Sequence, residues 1–243
     1  MASLTYDSIS LRGAGVVTIV QHKKGHRFTL DSLLLADFCR IKPRGRILEP
    51  GAGTGIISIL LARKFPKALF VADEVEPSSY SLLCDNIERN GLLDRILPVN
   101  RDVKYLGRSI MPEAFDAIVA NPPYIRSGTG RKSPSPERQM ARQDLTASLH
   151  FWLNLQSLLK NKGRYFIVYH AGRLAELVAL MRMRNIEPKR MRLVHPRADK
   201  PASLVLIEAV KSAGIGLDVL PPLVVHQTDG KYTEEMHRIY NLT

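Results

Sequence analysis

The stretch RILEPGAGTGIISILLARKF, residues 46–65, decides how the rest of the chain is read. Arg46–Glu49 is a short apolar run of strand character, Gly51, Gly53 and Gly55 follow, and an apolar helical segment begins at Ile56. Strand, glycine-rich turn and helix in this order open an α/β unit of the doubly wound kind. Glycines at such a turn let the backbone bend sharply and come close to a ligand. No lysine–serine pair follows, so this is not an ATP-type phosphate loop. Gly55 stands two residues after Gly53, where a dinucleotide fingerprint places its third glycine three after the second.

Working outward, ALFVAD (Ala68–Asp73) reads as the second strand and PSSYSLLCDNIERNGL as the second helix, with Pro77 at its start and Gly91 near its end. RILPVN (Arg95–Asn100) and AFDAIVA (Ala114–Ala120) read as strands three and four. Short runs of valine, isoleucine and leucine suit parallel strands buried on both faces and joined by right-handed crossovers. Residues 126–142 are polar, basic and rich in proline and serine, as expected of a flap. Leu145–Gly163 is expected to be one helix stopped by glycine, and RYFIVYH the fifth strand. A further helix, RLAELVALMRMRN, and two late strands, KRMRLVHP and SLVLIEAV, precede a C-terminal tail with some local order. Upstream, Val16–Val20 looks like one strand of a hairpin, and HRFTLDSLLLADFCRI contains a short amphipathic helix. No composition break divides the chain, so a single domain over residues 1–243 is expected.

Bulk properties narrow the classes. The chain has 243 residues, 45% of them apolar, enough for a full core. Cys39 and Cys84 make no disulfide framework, and neither they nor His150, His170 and His195 stand at metal-ligand spacing, so no metal is expected. Asp7 and Arg12 interrupt the N-terminal stretch, which is no signal peptide, and no run reaches membrane-helix length. A soluble cytoplasmic protein is expected. Thirty-five basic residues against 23 acidic ones give a net charge of +12, which suits a polyanionic partner.

Two further segments carry chemistry. Strand two ends in ADEVEP, offering Asp73, Glu74 and Glu76. Glu74, from its register, is placed to accept both ribose hydroxyls of an adenosine; the alternative is that it merely caps the next helix. Asp102, after strand three, is placed to reach an adenine edge or to serve as a turn residue. NPPY, Asn121, Pro122, Pro123 and Tyr124, directly follows strand four, at the carboxyl edge where open sheets bind ligands. An asparagine oxygen and the carbonyl of Pro122 make two acceptors for the two N–H bonds of an amino group. They would hold its nitrogen toward a bound donor, with Tyr124 stacked on a flat base or amide and two prolines fixing the backbone.

EPGAGTG together with NPPY resembles the amino-methylating branch of class I S-adenosylmethionine methyltransferases. The segments HRFTLDSLLLADF, DNIERNGL, NPPYIRSGTGRKSPSPERQMARQDLT, KRMRLVHPRADKPASLVLIEAVKSAG and YTEE narrow this to the bacterial tRNA1(Val) adenine-37 N6-methyltransferase family, over nearly the whole length. The resemblance implies a Rossmann-like α/β fold: a seven-stranded, mostly parallel sheet with a reversed last strand and helices on both faces. It implies S-adenosylmethionine as cofactor, held by Gly51, Gly53 and Gly55, by Glu49 before them, by Glu74 and Asp102, and by Asn121. It also implies that Phe28 and Asp31, in RFTLD, close over the methionine end, with residues 1–45 an N-terminal extension and cofactor lid. Proline in EPGAGTG and the longer acid Glu76 in ADEVEP depart from the family's usual residues without altering the turn or the spacing.

The substrate implied is an adenine of tRNA. Its expected contacts are Arg126, Arg131, Lys132, Arg138 and Arg142 in the flap, Lys189, Arg190, Arg192, Arg197 and Lys200 in and just after a late strand, and the basic stretch from His22 to Arg27. Phe151 and Trp152 are expected in the core, and a monomer is favoured. A protein glutamine N5-methyltransferase would use the same NPPY chemistry but usually carries a substantial helical domain before the glycine turn; only 48 residues precede Glu49 here. A non-catalytic RNA-binding protein on this fold would not need Asn121 and Tyr124 intact.

Overall fold

The computed structural model describes residues 4–23, 29–102, 105, 111–123 and 149–241. β1 (Leu4–Leu11) and β2 (Gly15–His22) form an antiparallel hairpin, and α1 (Leu30–Phe38) follows. Next come β3 (Arg46–Pro50), α2 (Ile56–Lys64), β4 (Leu69–Asp73), α3 (Pro77–Arg89), β5 (Ile96–Val99) and β6 (Phe115–Ala120). A short helix α4 (residues 149–154) and a 3-10 turn lead into β7 (Leu159–His170), α5 (Leu174–Met183), β8 (Ile186–Arg197) and β9 (Leu204–Lys211). The chain ends in β10 (Asp218–Val219), β11 (Leu223–His226) and α6 (Glu234–Ile239).

Among the described residues the main sheet has nine strands, in the order β10-β8-β9-β7-β6-β3-β4-β5, with β11 also on β8. Without the short β10 and β11 it is the expected seven-stranded sheet. β9 alone is antiparallel to its neighbours, β7 and β8, and it is the last strand of the seven in the chain. Strands β3 and β6 are buried almost throughout, as the apolar residues Ile47, Leu48, Ala117, Ile118, Val119 and Ala120 require on both faces of a parallel sheet. One layer of packing, with α1, α2, α6 and the hairpin, covers one face; α4, the 3-10 turn and α5 cover the other.

The expected helix over Leu145–Gly163 is corrected. Its described part is helical through residue 154, and the chain is already in β7 at Leu159. Leu159 pairs with Phe115 and Arg164 with Ala117, so the residues between them bulge out of the ladder. Lys160 Nζ donates to Asp116 Oδ2 at 2.9 Å across that bulge. Pairing with β6 overrides a helical pattern whose glycine stop was read too late. The C-terminal tail is also more ordered than expected, because β11 runs parallel along β8 from Leu223↔Val194 to His226↔Arg197.

The hairpin docks through two asparagines of α3. Asn86, fully buried, accepts the Val20 N–H at 2.7 Å and donates to the Val20 and Thr54 carbonyls, both at 2.9 Å. Asn90, one turn on, donates to Thr18 O at 2.8 Å. The two side chains satisfy an edge of β2 that lies in the interior, where unpaired peptide groups are costly. Asn86→Ala should therefore lower unfolding stability by about 2–4 kcal/mol in urea titrations, since it orphans three buried backbone groups.

Candidate active site

The site is assembled by strand register. Pro50 pairs with Asp73 and Asp73 with Val99, while Leu48 pairs with Ile118 in β6. Gly51, Glu74, Asn100 and Asn121 therefore leave four adjacent strands along one carboxyl edge.

Gly51, Gly53 and Gly55 all have positive φ, at 60°, 57° and 85°. A Cβ on Gly51 would stand 2.6 Å from Trp152 Cη2, and one on Gly55 would stand 2.4 Å from Leu83 Cδ1. Gly53 differs: nothing lies within 4 Å of its Cβ direction. Two glycines are thus required by packing, and the third opens on the space above the turn. Trp152 is core, as expected, and it also forms the floor of the turn; Phe151, expected in the core with it, is instead exposed, because it lies on the outer side of the short helix α4.

Glu74 is buried and accepts the Gly53 N–H at 2.7 Å on one oxygen and the Glu76 N–H at 2.8 Å on the other. The helix cap of α3 is Glu76, whose carboxylate accepts the Ser79 N–H at 2.6 Å. The alternative role for Glu74 thus belongs to its neighbour two residues on. A carboxylate has about four acceptor positions, so two backbone donors orient Glu74 and leave it capacity for hydroxyl donors.

Glu49 lies beneath the turn and accepts the Ser58 N–H at 2.8 Å. Burial pushes its carboxyl up to about 8; hydrogen bonding from Ser58 opposes the shift and the Glu74 charge adds to it. Burial likewise pushes Asp73 up to about 7, with the Glu74 charge adding to it. Asp73 Oδ1 is buried without a hydrogen-bond partner among the described residues. Asp102 follows β5, half-buried, with its carbonyl accepting the Tyr105 N–H at 2.9 Å.

Just past β6, Asn121 Nδ2 donates to Ser32 Oγ at 3.1 Å. Ser32 and Asp31 are both buried in the first turn of α1, so the start of this helix sits against the asparagine. Ser32 was not singled out from the sequence; its neighbour Asp31 was. Pro122 is buried and Pro123 exposed. Phe28, Tyr124, Arg126, Arg131, Lys132, Arg138 and Arg142 lie outside the described residues.

Within the late-strand basic group, the expectation for Arg190 is corrected. Arg190 is buried: its Nε donates to Glu208 at 2.9 Å, its Nη2 to the Phe38 carbonyl at 2.5 Å, and its guanidinium lies 4.0 Å from the centroid of the Phe38 ring. Arg164 pairs with the other oxygen of Glu208. Arg192 is held by the Pro221 carbonyl at 2.9 Å and by Glu235 at 2.8 Å, and Lys189 donates to the Gly214 carbonyl at 3.3 Å. Arg190 is thus closed to phosphate, because its charge is spent on a buried ion pair, and Arg192 is tied to the C-terminal segment.

Residues 17–178 match the methyltransferase small domain family, a span that runs from the hairpin through the glycine turn and NPPY into α5. The chain belongs to that family. Among relatives of the methyltransferase small domain chain, it is 28% identical over 223 residues to a tRNA1(Val) (adenine(37)-N6)-methyltransferase of Porphyromonas gingivalis, covering 88% of this chain and 86% of that one. It is 26% identical over 219 residues to the enzyme of the same name from Vibrio campbellii, covering 89% and 88%. The resemblance read from the sequence is borne out. Among solved structures, a predicted O-methyltransferase from Agrobacterium tumefaciens shares the fold with a TM-score of 0.70 at 20% identity, covering 87% of this chain and 96% of that one. The protein is an S-adenosylmethionine-dependent methyltransferase of the class I fold.

The residues present fit that cofactor. Gly53 opens on unfilled space, Glu74 is oriented beside it with acceptor capacity to spare, and the buried Asp73 Oδ1 is left without a hydrogen-bond partner among the described residues. Among the described residues no three His, Cys, Asp or Glu side chains are grouped to hold a metal ion, and no helix is long and apolar enough to cross a membrane.

Gly55→Ala should destabilise the fold by about 2–4 kcal/mol in thermal or chemical unfolding, combining a left-handed backbone with an overpacked Leu83. Gly53→Ala meets no such clash but keeps the left-handed strain, so it should cost about 1–2 kcal/mol of stability, less than Gly55→Ala, and calorimetry should show weaker S-adenosylhomocysteine binding as well. Glu49 gives a pH signature. Its carboxyl keeps a proton in the folded state that the unfolded chain has released, so stability is full at acidic pH and falls as pH rises from about 5 to about 8. Glu49→Gln should flatten that decline in a series of urea melts across the window.

Proposed function

We propose that this methyltransferase modifies the exocyclic N6 of an adenine in tRNA, at a position like adenine 37 of tRNA1(Val). The observation that carries the reading is Asn121 leaving β6 beside the glycine turn, its nitrogen end committed to Ser32. That commitment suits an amide whose oxygen accepts a substrate N–H.

When bound, S-adenosylmethionine supplies an electrophilic methyl group on a sulfonium. Gly51, Gly53 and Gly55 shape the backbone of its site, Glu74 takes the ribose hydroxyls, Asp102 reaches the adenine edge, and Glu49 holds the turn from beneath. Phe28 and Asp31 close over the methionine end. The Asn121 oxygen and the Pro122 carbonyl accept the two N–H bonds of the target amine, while Tyr124 stacks on its base. An aromatic amine is a weak nucleophile because its lone pair is delocalised. Two preorganised acceptors favour the pyramidal nitrogen and the positive charge that grows on it. The proton becomes acidic as the new bond forms, so no strong base is required. A loop nucleotide is turned out of its stack more cheaply than a paired one.

The flap of residues 126–142, with Arg126, Arg131, Lys132, Arg138 and Arg142, supplies phosphate contacts beside the target base. The chain acts as one monomeric domain in the cytoplasm, with residues 1–45 as the cofactor lid. The rival substrate, a protein glutamine, has less support: the relatives from Porphyromonas gingivalis and Vibrio campbellii are both named as tRNA methyltransferases.

Asn121→Ala should reduce single-turnover methylation of tRNA by about 100- to 1,000-fold at saturating cofactor, with tRNA and cofactor binding little changed, because the lost acceptor matters most in the transition state. Nucleoside mass analysis of the tRNA should show N6-methyladenosine. Near-normal turnover by the variant would sink the mechanism, and methylation of a protein glutamine with none on tRNA would sink the substrate.

A further inference from the structure

We propose that a cavity at the C-terminal end of the sheet is a second RNA-contact site, one that takes an unpaired nucleobase of the tRNA away from the base being methylated. The proposal rests on the reading of tRNA as substrate.

The cavity has a volume of about 320 Å³ and is lined by His226, Gly230, Lys231, Tyr232 and His237. Volumes near 300 Å³ begin the range of small-ligand sites, and a nucleobase fits within it. Its position follows from register. β11 runs parallel to β8, and β8 runs parallel to β7 because both oppose β9. β7 is parallel to β6, so His226 ends its strand at the same edge of the sheet from which Asn121 departs.

The walls are flat rings. His226 stacks on Tyr232 with centroids 5.1 Å apart and planes 22° apart, and Tyr232 stacks on Tyr240 at 5.4 Å and 23°. His237 stands edge-on to Tyr232 at 6.4 Å and 83°. The cavity lies at the His226–Tyr232 end of this stack, and Tyr240 does not line it. Rings that extend a stack accept any base, since every base has a π face.

Charge supplies the complementary half. Lys231 is 79% exposed and pairs only loosely with exposed Asp229, at 3.4 Å. Arg197, level with His226, and Lys200 pair with exposed Asp199 at 3.4 and 3.6 Å. Exposed pairs of this kind contribute little and exchange readily for a phosphate. Rings with cations at the rim match a base attached to a phosphate; an acidic peptide would have no use for the stack.

The tail is held largely by groups outside the lining, beside the His226 ring nitrogen 3.3 Å from the Pro196 carbonyl and the backbone bridge of His226 to Tyr232. Met236 and Ile239 are buried, the Thr233 hydroxyl donates to the Val224 carbonyl at 2.7 Å, Arg192 binds Glu235, and the Arg12 N–H donates to the Ile239 carbonyl at 2.9 Å. His237 and Lys231 lie exposed outside this set.

The test uses the full chain and a labelled tRNA transcript in fluorescence anisotropy, beside steady-state methylation. The double variant His226→Leu/His237→Ala should weaken tRNA binding roughly 5- to 100-fold, the range for loss of base stacking. It should raise KM for tRNA while leaving kcat and S-adenosylhomocysteine affinity unchanged. Lys231→Ala, which cannot disturb the fold from so exposed a position, should reduce the salt dependence of binding by about one phosphate contact. Tyr232→Phe keeps the stack and should bind as the wild type does. If the wild type binds and methylates tRNA while the double variant and Lys231→Ala bind with unchanged affinity and salt slope, the second site is wrong and the substrate reading survives. If the wild type does not bind tRNA, both fail. If the double variant also loses cofactor affinity and thermal stability, the cluster is a clasp for the tail and the proposal is overturned.

Discussion

One buried amide ties the working parts of this protein together. Asn86 spends both N–H bonds and its oxygen on backbone: the N–H and carbonyl of Val20, and the carbonyl of Thr54. It thereby pairs with a strand as a neighbouring strand would, and at the same time grips the glycine turn. The hairpin, α3 and residues 51–55 form one rigid unit as a result. The rigidity matters at Gly53, whose N–H points at Glu74 only while the turn keeps its left-handed backbone. A buried amide with every group satisfied specifies geometry more sharply than an apolar contact of the same size would.

The supports of the turn were legible to different degrees in the sequence. The strands around it were plain, because a buried parallel strand has no polar alternation and its apolar run marks its position. The glycines were plain too, since nothing else tolerates three left-handed positions in five residues. The ends of the helix before β7 were not, because Leu159 belongs to a strand only by virtue of Phe115, which lies far away in the chain. Asn86 was visible as a polar residue within the apolar face of α3, alongside Leu82, Leu83 and Ile87. That signal marks a buried polar group, but it does not say what the group binds. Ser32 carried no signal at all, since its partner Asn121 is brought to it only by the fold.

Charge was the least legible property. A net charge of +12 counts every cation alike. The fold divides them into cations that hold structure and cations that remain at the rim. Arg164 and Arg190 share the two oxygens of Glu208, and Arg192 fastens α6. Burying such groups would be prohibitive without these partners. Cations paired only with exposed acids include Arg197, Lys200 and Lys231 at the carboxyl edge of β8 and its neighbours, while Lys189 near the start of the strand donates to the Gly214 carbonyl. The same strand thus carries structural arginines toward its start and displaceable cations at its end.

That division follows from the parallel sheet itself. The carboxyl ends of parallel strands release the chain into loops on one edge, so ligand-binding residues collect there while strand interiors are left to packing. Arg190, three strands away from β6 and well short of the edge, faces Phe38 and Glu208 because that is what mid-strand side chains face in a sheet covered on both sides. Asn121, one residue past its strand, is beyond the ladder and meets the first turn of α1 instead. Position along a strand, more than residue type, therefore decides whether a polar side chain holds the sheet or serves the site. It explains why the arginine in the middle of β8 closes on a buried ion pair, while the asparagine just past β6 stands free of the ladder beside the glycine turn.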